Sequence, residues 1–367
     1  MSNIPSIYME FIMNNDKRTT YHEQLTVDNT LKLRQLLKRL PSFAKDYFRA
    51  IEPTTSTKTR ISYAYDLIVF FRFLTDENPV YKEYKPDDFK VSDLDELQAV
   101  DIEEYMEYLK VYSDDNDNLV TNGERGLKRK MSALRSFYLY YYKREMIKTN
   151  PTLLVDMPKL HDKAIIRLEA DETAQLLDFI EKGGANLTGQ QKVYYEKTKQ
   201  RDLAIVTLLL GTGIRVSECV GLDIEDVDFK NYGIKVVRKG GSEMIVYFGD
   251  EVAKALSDYI EGDRKSMTPI AGHEHALFLS TQRKRIGIRA VENLVKKYAK
   301  QVTPLKKITP HKLRSTYGTA LYQETGDIYL VADVLGHKDV NTTRKHYASV
   351  GDARRRTAAK YVKLRED

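Results

Sequence analysis

The sequence predicts a mainly α-helical protein with a small β-sheet, divided into two domains, and three observations carry that expectation. Apolar residues recur at helical spacing between capping residues along most of the chain. The one clear pair of short strand-like runs, 233–237 and 244–248, brackets a glycine turn. The length of 367 residues exceeds one ordinary core, and an extended stretch at 158–168, opened by Pro158, separates a first domain (1–157) from a second (169–367).

In the first domain, residues 1–24 show no periodicity and read as a loose arm. Leu31, Leu33, Leu36, Leu37 and Leu40 give a helix over 26–40, stopped by Pro41, with a short helix over 42–51 after it. Thr54-Thr55-Ser56-Thr57 suits an N-cap, and the next helix runs to Leu74. It turns Tyr63, Leu67, Phe70, Phe71 and Leu74 inward and Lys58, Arg60 and Arg72 outward. An acidic loop over 79–93, a helix over 94–111 and a solvated acidic loop over 114–118 follow. The charge then reverses: Arg125, Lys128, Arg129, Lys130, Arg135, Lys143 and Arg144 come with no acid among them. Leu127, Met131, Leu134, Tyr138 and Tyr141 form the buried stripe of that helix, which leaves Arg125, Arg129, Ser132 and Ser136 on a face suited to a DNA groove. Lys58, Arg60, Arg125, Arg129 and Arg135 are the candidate DNA-contacting cations. Asn150-Pro151 breaks the helix.

The second domain starts with a helix over 171–182, ended by Gly183-Gly184. A charged stretch over 190–200 reads as a surface insertion ahead of a helix over 202–210. Gly211-Thr212-Gly213 turns into a further helix that carries Arg215 and Glu218. The hairpin places Lys239 at its mouth; a helix over 250–262, a strand over 276–280 and a helix over 289–302 follow. Behind Thr309 and Pro310, His311 and Arg314 lie three apart on one helical side. A short helix over 328–335 is stopped by Gly336, with His337 at its exit, and Thr342-Thr343 begin a turn that presents Tyr347. Residues 353–364 read as a basic amphipathic helix.

Two arginines, two histidines, a lysine and a tyrosine suit one reaction. A phosphodiester gains charge on its equatorial oxygens when a fifth oxygen attacks, so paired N–H donors from Arg215 and Arg314 favour the transition state over the ground state. A phenol of pKa about 10 is a poor nucleophile until a base and a cationic pocket favour its ionisation, which is what Tyr347 needs. The departing sugar oxygen requires a proton, and Lys239 fits that general acid. His311 and His337 can move a proton and bond a non-bridging oxygen. Singly each residue is ordinary in a chain with 25 tyrosines; the ordered set carries the reading.

That set resembles the tyrosine recombinases, or phage-type integrases, across the C-terminal half: Gly-x-Arg-x-x-Glu at 213–218, the hairpin lysine, His-x-x-Arg at 311–314, Leu-Gly-His at 335–337, and Tyr347. The resemblance implies Tyr347 as nucleophile, Arg215, Arg314 and His337 as phosphate ligands, Lys239 as acid, His311 as base or proton relay, and Glu218 as a support that orients Arg215 or the histidine. Tyr347 stands ten positions after His337, one more than in many members, and His346 replaces the usual apolar neighbour. The resemblance further implies a two-domain DNA clamp: a helical core-binding domain and an α+β catalytic domain, acting as a homotetramer on two inverted-repeat sites of duplex DNA. Cleavage passes through a 3′-phosphotyrosyl link. The overall length is similar to that of single-protein Xer-type recombinases that resolve chromosome dimers. Integrases of phages and mobile elements, type IB topoisomerases and a non-catalytic DNA-binding accessory protein are the competing readings.

The remaining composition narrows the class. Fifty-nine basic against 53 acidic residues give a net charge of +6, so a nucleic-acid surface must come from segregated charge. Cys219 is the single cysteine, and no Cys or His cluster has zinc-site spacing, so neither a disulfide nor a metal is expected. No phosphate-cradling Gly-x-x-x-x-Gly-Lys loop occurs, so ATP is not expected, nor any other cofactor or small-molecule substrate. Met1 to Lys17 carries Glu10 and Asp16 and lacks a basic start with an apolar run, and there is no uncharged stretch of about 18 apolar residues. The expectation is a cytoplasmic protein with no membrane partner.

Overall fold

The computed structural model describes residues 20–161, 165–238, 241–336 and 340. The chain divides into two compact units, Met1–Asp162 and Lys163–Asp367. Residues 1–19 of the expected arm, and the helix expected over 353–364, lie outside the described residues.

In the first unit, α1 (Tyr21–Leu37) starts ahead of the expected Thr26, inside the stretch read as an arm. The cause is a reciprocal cap: the Glu23 N–H donates to Thr20 Oγ1 at 3.3 Å and the Thr20 N–H to Glu23 Oε2 at 2.7 Å. Helix α2 (Ala44–Ala50) follows, and α3 (Thr57–Glu77) begins behind Ser56, whose Oγ accepts the Thr59 N–H at 3.2 Å. The helix expected over 94–111 is instead two, α4 (Asp93–Glu96) and α5 (Ala99–Tyr108). Leu97 and Gln98 between them are extended, and the Gln98 N–H donates to Asp101 Oδ2 at 2.7 Å.

The loop expected over 114–118 is the tip of a hairpin, β1 (Val111–Ser113) against β2 (Leu119–Thr121), with Val111 opposite Thr121. Asp114 Oδ1 accepts the N–H groups of Asn116 at 2.8 Å and Asn118 at 3.0 Å, which closes the turn. Helix α6 (Glu124–Tyr142) buries Met131, Leu134, Tyr138 and Tyr141 as the stripe predicts, and Phe137 with them. The core is aromatic: the Tyr47 and Phe137 rings meet edge to face at 5.2 Å, and Phe43, Phe71 and Tyr141 surround them. Lys130 is buried and donates to the equally buried Asp66 at 3.1 Å, so this cation is a core partner.

In the second unit, α7 (Ala170–Lys182) precedes α8 (Gly189–Thr212), and the stretch read as a surface insertion is the first half of α8. Tyr195 explains this: it is buried, and its hydroxyl contacts the carbonyls of Ile180 and Glu181 at 2.9 and 2.8 Å, which ties α8 to the end of α7. After the short α9 (Val216–Gly221) come β3 (Val227–Asp228), β4 (Gly233–Val237) and β5 (Glu243–Tyr247), antiparallel in that order with Val237 opposite Glu243. Then come α10 (Asp250–Tyr259), a π turn over Ile260–Arg264, and α11 (Ile288–Val302).

The strand expected over 276–280 makes only isolated bridges, Asp223 to Ala276 and Leu279 to Arg285. Side chains hold it instead: Arg264 Nε donates to the Ala276 carbonyl and Arg201 Nη1 to the Leu279 carbonyl, each at 3.0 Å. Helices α12 (Pro310–Thr325) and α13 (Ile328–Leu335) complete the unit, and α7, α10, α11 and α12 all pack on α8. Among the described residues no helix is long and apolar enough to cross a membrane.

Candidate functional site at the exit of the last described helix

Arg215 stands at the cap of α9 in extended conformation. Its N–H donates to Glu218 Oε2 and its Nη1 to Glu218 Oε1, each at 2.8 Å, so one buried carboxylate both caps the helix and aims the guanidinium. Nη2 of Arg215 reaches the Gly336 carbonyl at 3.4 Å. Of the two roles left open for Glu218, orienting Arg215 is the one with a described bond.

Arg314, one turn into α12, is 4% exposed; its Nη1 donates to the Gly213 carbonyl and its Nη2 to that of Leu335. Gly213 is left-handed (φ 63°), and a Cβ there would lie 2.4 Å from the Tyr317 ring. Only glycine lets the turn between α8 and α9 pass this close to α12. Helix α13 starts on Asp327, whose Oδ1 accepts the N–H groups of Tyr329 and Leu330, and ends at Gly336, also left-handed (φ 61°). Both helix ends fall where the sequence signals place them.

A third guanidinium joins from a position that the sequence reading passed over. Arg238 follows β4, and its Nη2 donates to the Val334 carbonyl at 2.9 Å. Three successive carbonyls at the C-terminal end of α13, those of Val334, Leu335 and Gly336, thus each accept from a different arginine. These are orphan acceptors at the negative end of a helix, which draws cations. Burial first, and the Arg215 charge, lower the pKa of Arg238 from its ordinary value; Glu218 and Asp333 work against that shift. The signal for Arg238 was present in the sequence as a second cation directly before Lys239.

His311, at the second position of α12, is exposed where Arg314 is buried, so the two share a helical side at different depths. Lys239, His337 and Tyr347 lie outside the described residues, as does the turn expected from Thr342. Tyr317 and Tyr322, read as core, pack with Leu321 and Ile328 around Val331 and Leu335, and burial raises the Tyr317 phenol. Cys219, beside Glu218, is fully buried and its thiol is pushed up to about 12.

Of the candidate DNA contacts, Lys58 and Arg125 are exposed. Arg60 pairs with Glu52 at 2.9 Å. Arg129 pairs with the buried Asp66 while staying half exposed. Arg135 donates to the carbonyls of Thr152 and Val155, holding the chain that leaves α6. Three of the five therefore have partners within their own unit, and Lys58 and Arg125 are the better-presented cations.

Residues 166–354 match the phage integrase family. The tyrosine recombinase XerC of Caldanaerobacter subterraneus subsp. tengcongensis is 35% identical over 85% of this chain and 83% of its own length. The tyrosine recombinase XerS of Streptococcus uberis is 30% identical over 88% of this chain and 95% of its own. A solved structure of XerH site-specific recombinase bound to palindromic difH substrate, in a post-cleavage complex, shares the fold. It is 16% identical with a TM-score of 0.61, covering 94% of this chain and 97% of that one.

Proposed function

Because the chain belongs to the phage integrase family and is a tyrosine recombinase, we propose that Tyr347 cuts one strand of duplex DNA at a phosphate held by Arg215 and Arg314. The Tyr347 hydroxyl, losing its proton through His311, attacks phosphorus; the P–O bond to the 5′-oxygen breaks, and Lys239 protonates that oxygen as it leaves. The 3′-phosphotyrosyl ester keeps the energy of the broken bond, so a partner strand's 5′-hydroxyl reverses the step. Neither metal nor ATP is used. Arg215, Arg314 and His337 bind the non-bridging oxygens, and Glu218 aims Arg215.

The observation that carries this assignment is the convergence of Arg215 and Arg314, far apart in the chain, on the adjacent carbonyls of Leu335 and Gly336, immediately before His337. The physiological substrate is an inverted-repeat site recombined by four copies on two duplexes in the cytoplasm. The role is of the Xer type, chromosome-dimer resolution, a reading supported by the length shared with Xer recombinases. Lys58 and Arg125 of the first unit supply phosphate contacts that set position on the duplex.

The test is incubation with a nicked suicide site that traps the cleaved state. Wild type gives a covalent protein–DNA adduct and Tyr347→Phe gives none. An adduct that persists in Tyr347→Phe moves the nucleophile elsewhere, and a wild type that binds the site without ever forming an adduct supports a non-catalytic accessory role.

A further inference from the structure

Arg238 links two elements that each lead directly into a proposed active-site residue. Its backbone closes the hairpin: the Arg238 N–H donates to the Ser242 carbonyl at 2.8 Å, and the Gly241 N–H to the Arg238 carbonyl at 3.0 Å. Its side chain leaves the sheet for the exit of α13, where Nη2 is bonded to the Val334 carbonyl. There Nη1 occupies the space that a Cβ on Gly336 would fill, 1.1 Å from where that atom would sit. The missing side chain at 336 is therefore required twice, by the left-handed turn and by the guanidinium. The next residue after Arg238 is Lys239, and the next after Gly336 is His337. One side chain thus ties the approach to the proposed acid to the approach to a proposed phosphate ligand.

We propose that Arg238 is a positioning residue for strand cleavage: by bridging β4 to the exit of α13 it fixes the base of the hairpin so that Lys239 meets the leaving 5′-oxygen. Without the bridge, the hairpin base keeps its strand pairing and the packing of β4 on α9 but loses its tie to α13. Proton delivery from Lys239 to the leaving oxygen is then slower. A misplacement of about 1 Å costs about 10²-fold in rate. This inference rests on the assignment of Lys239 as general acid.

The experiment compares two suicide sites, one with the normal bridging 5′-oxygen and one with sulfur in its place. A thiolate leaves without a proton, because thiols ionise near pH 8.5 and water-like hydroxyls only near 15–16, roughly. Arg238→Ala is expected to slow adduct formation on the oxygen site by about 10²-fold. On the sulfur site it is expected to return to near the wild-type rate, with DNA affinity unchanged, and Arg238→Lys to recover part of the oxygen-site loss.

An Arg238→Ala protein equally slow on both sites overturns the inference, because the lost step is then not proton delivery. Lys239→Ala separates this from its premise. If Lys239→Ala is rescued by sulfur and Arg238→Ala is not, only the positioning role fails; if Lys239→Ala is not rescued, the acid assignment fails and takes the inference with it. Should Arg238→Ala not fold, Arg238→Gln and Arg238→Lys give the same comparison.

Discussion

Glu218 is the carboxylate that makes the crowding of Arg215 and Arg238 tolerable, since it bonds the first directly and acts favourably on the second. Glu218→Gln keeps an acceptor for the Arg215 backbone and removes the charge, so the guanidinium loses its aim. Adduct formation is expected to fall by about 10²-fold with little change in DNA affinity, measured by single-turnover cleavage and band shift. Asp66 is the counterpart in the first unit, buried between Lys130 and Arg129. Asp66→Ala leaves the buried Lys130 uncompensated and should cost about 3–5 kcal/mol in urea unfolding. At this scale Arg215, Glu218 and Arg314 were legible because each sits at a helix start marked by glycine or Thr-Pro, where spacing fixes neighbours. Arg238 shows in the sequence only as a second cation before Lys239, in a hairpin turn with no helix start to fix its neighbours, and its acceptor is a backbone carbonyl 96 positions away. The burial of Lys130 could not be read from its own helix either, because its partner Asp66 sits on another.

Elements were legible where a cap or a stop is written in side chains. Helix α12 begins behind Thr309, and α13 runs from behind Asp327 to its stop at Gly336, as their signals direct. Short pairings were not: β1 and β2 have three residues each, too few for an alternation to show, and only the Asp-Asn turn betrays them. Helix α8 was cut in two because its first half carries many charges, yet the buried Tyr195, Thr198, Arg201 and Asp202 give it an inner side. The end of α8 offers a direct test. Gly213→Ala forces a Cβ into the Tyr317 ring and a left-handed alanine, the latter alone costing about 1–2 kcal/mol. The variant should unfold at lower urea and lose cleavage with it, because Arg314 bonds the Gly213 carbonyl.

For the whole molecule, the division after Asp162 follows exposed residues Lys159, Leu160 and His161. Limited trypsin digestion should cut first after Lys159 and yield two fragments that each resist further digestion; early cuts inside α6 or α8 would contradict it. With a net charge of only +6, DNA affinity depends on where cations are presented. Lys58→Ala and Arg125→Ala should each lower the slope of log affinity against log salt by about 0.9, whereas Arg135→Ala should leave the slope unchanged. Cys219 adds a consequence of another kind. As the sole thiol, fully enclosed, it makes the native chain blind to alkylating dyes. A fluorophore on a cysteine introduced at any exposed position therefore reports from that position alone. In wild type, the slow appearance of an iodoacetamide mass shift under mild denaturant becomes a clock for how often the shell behind Arg215 opens.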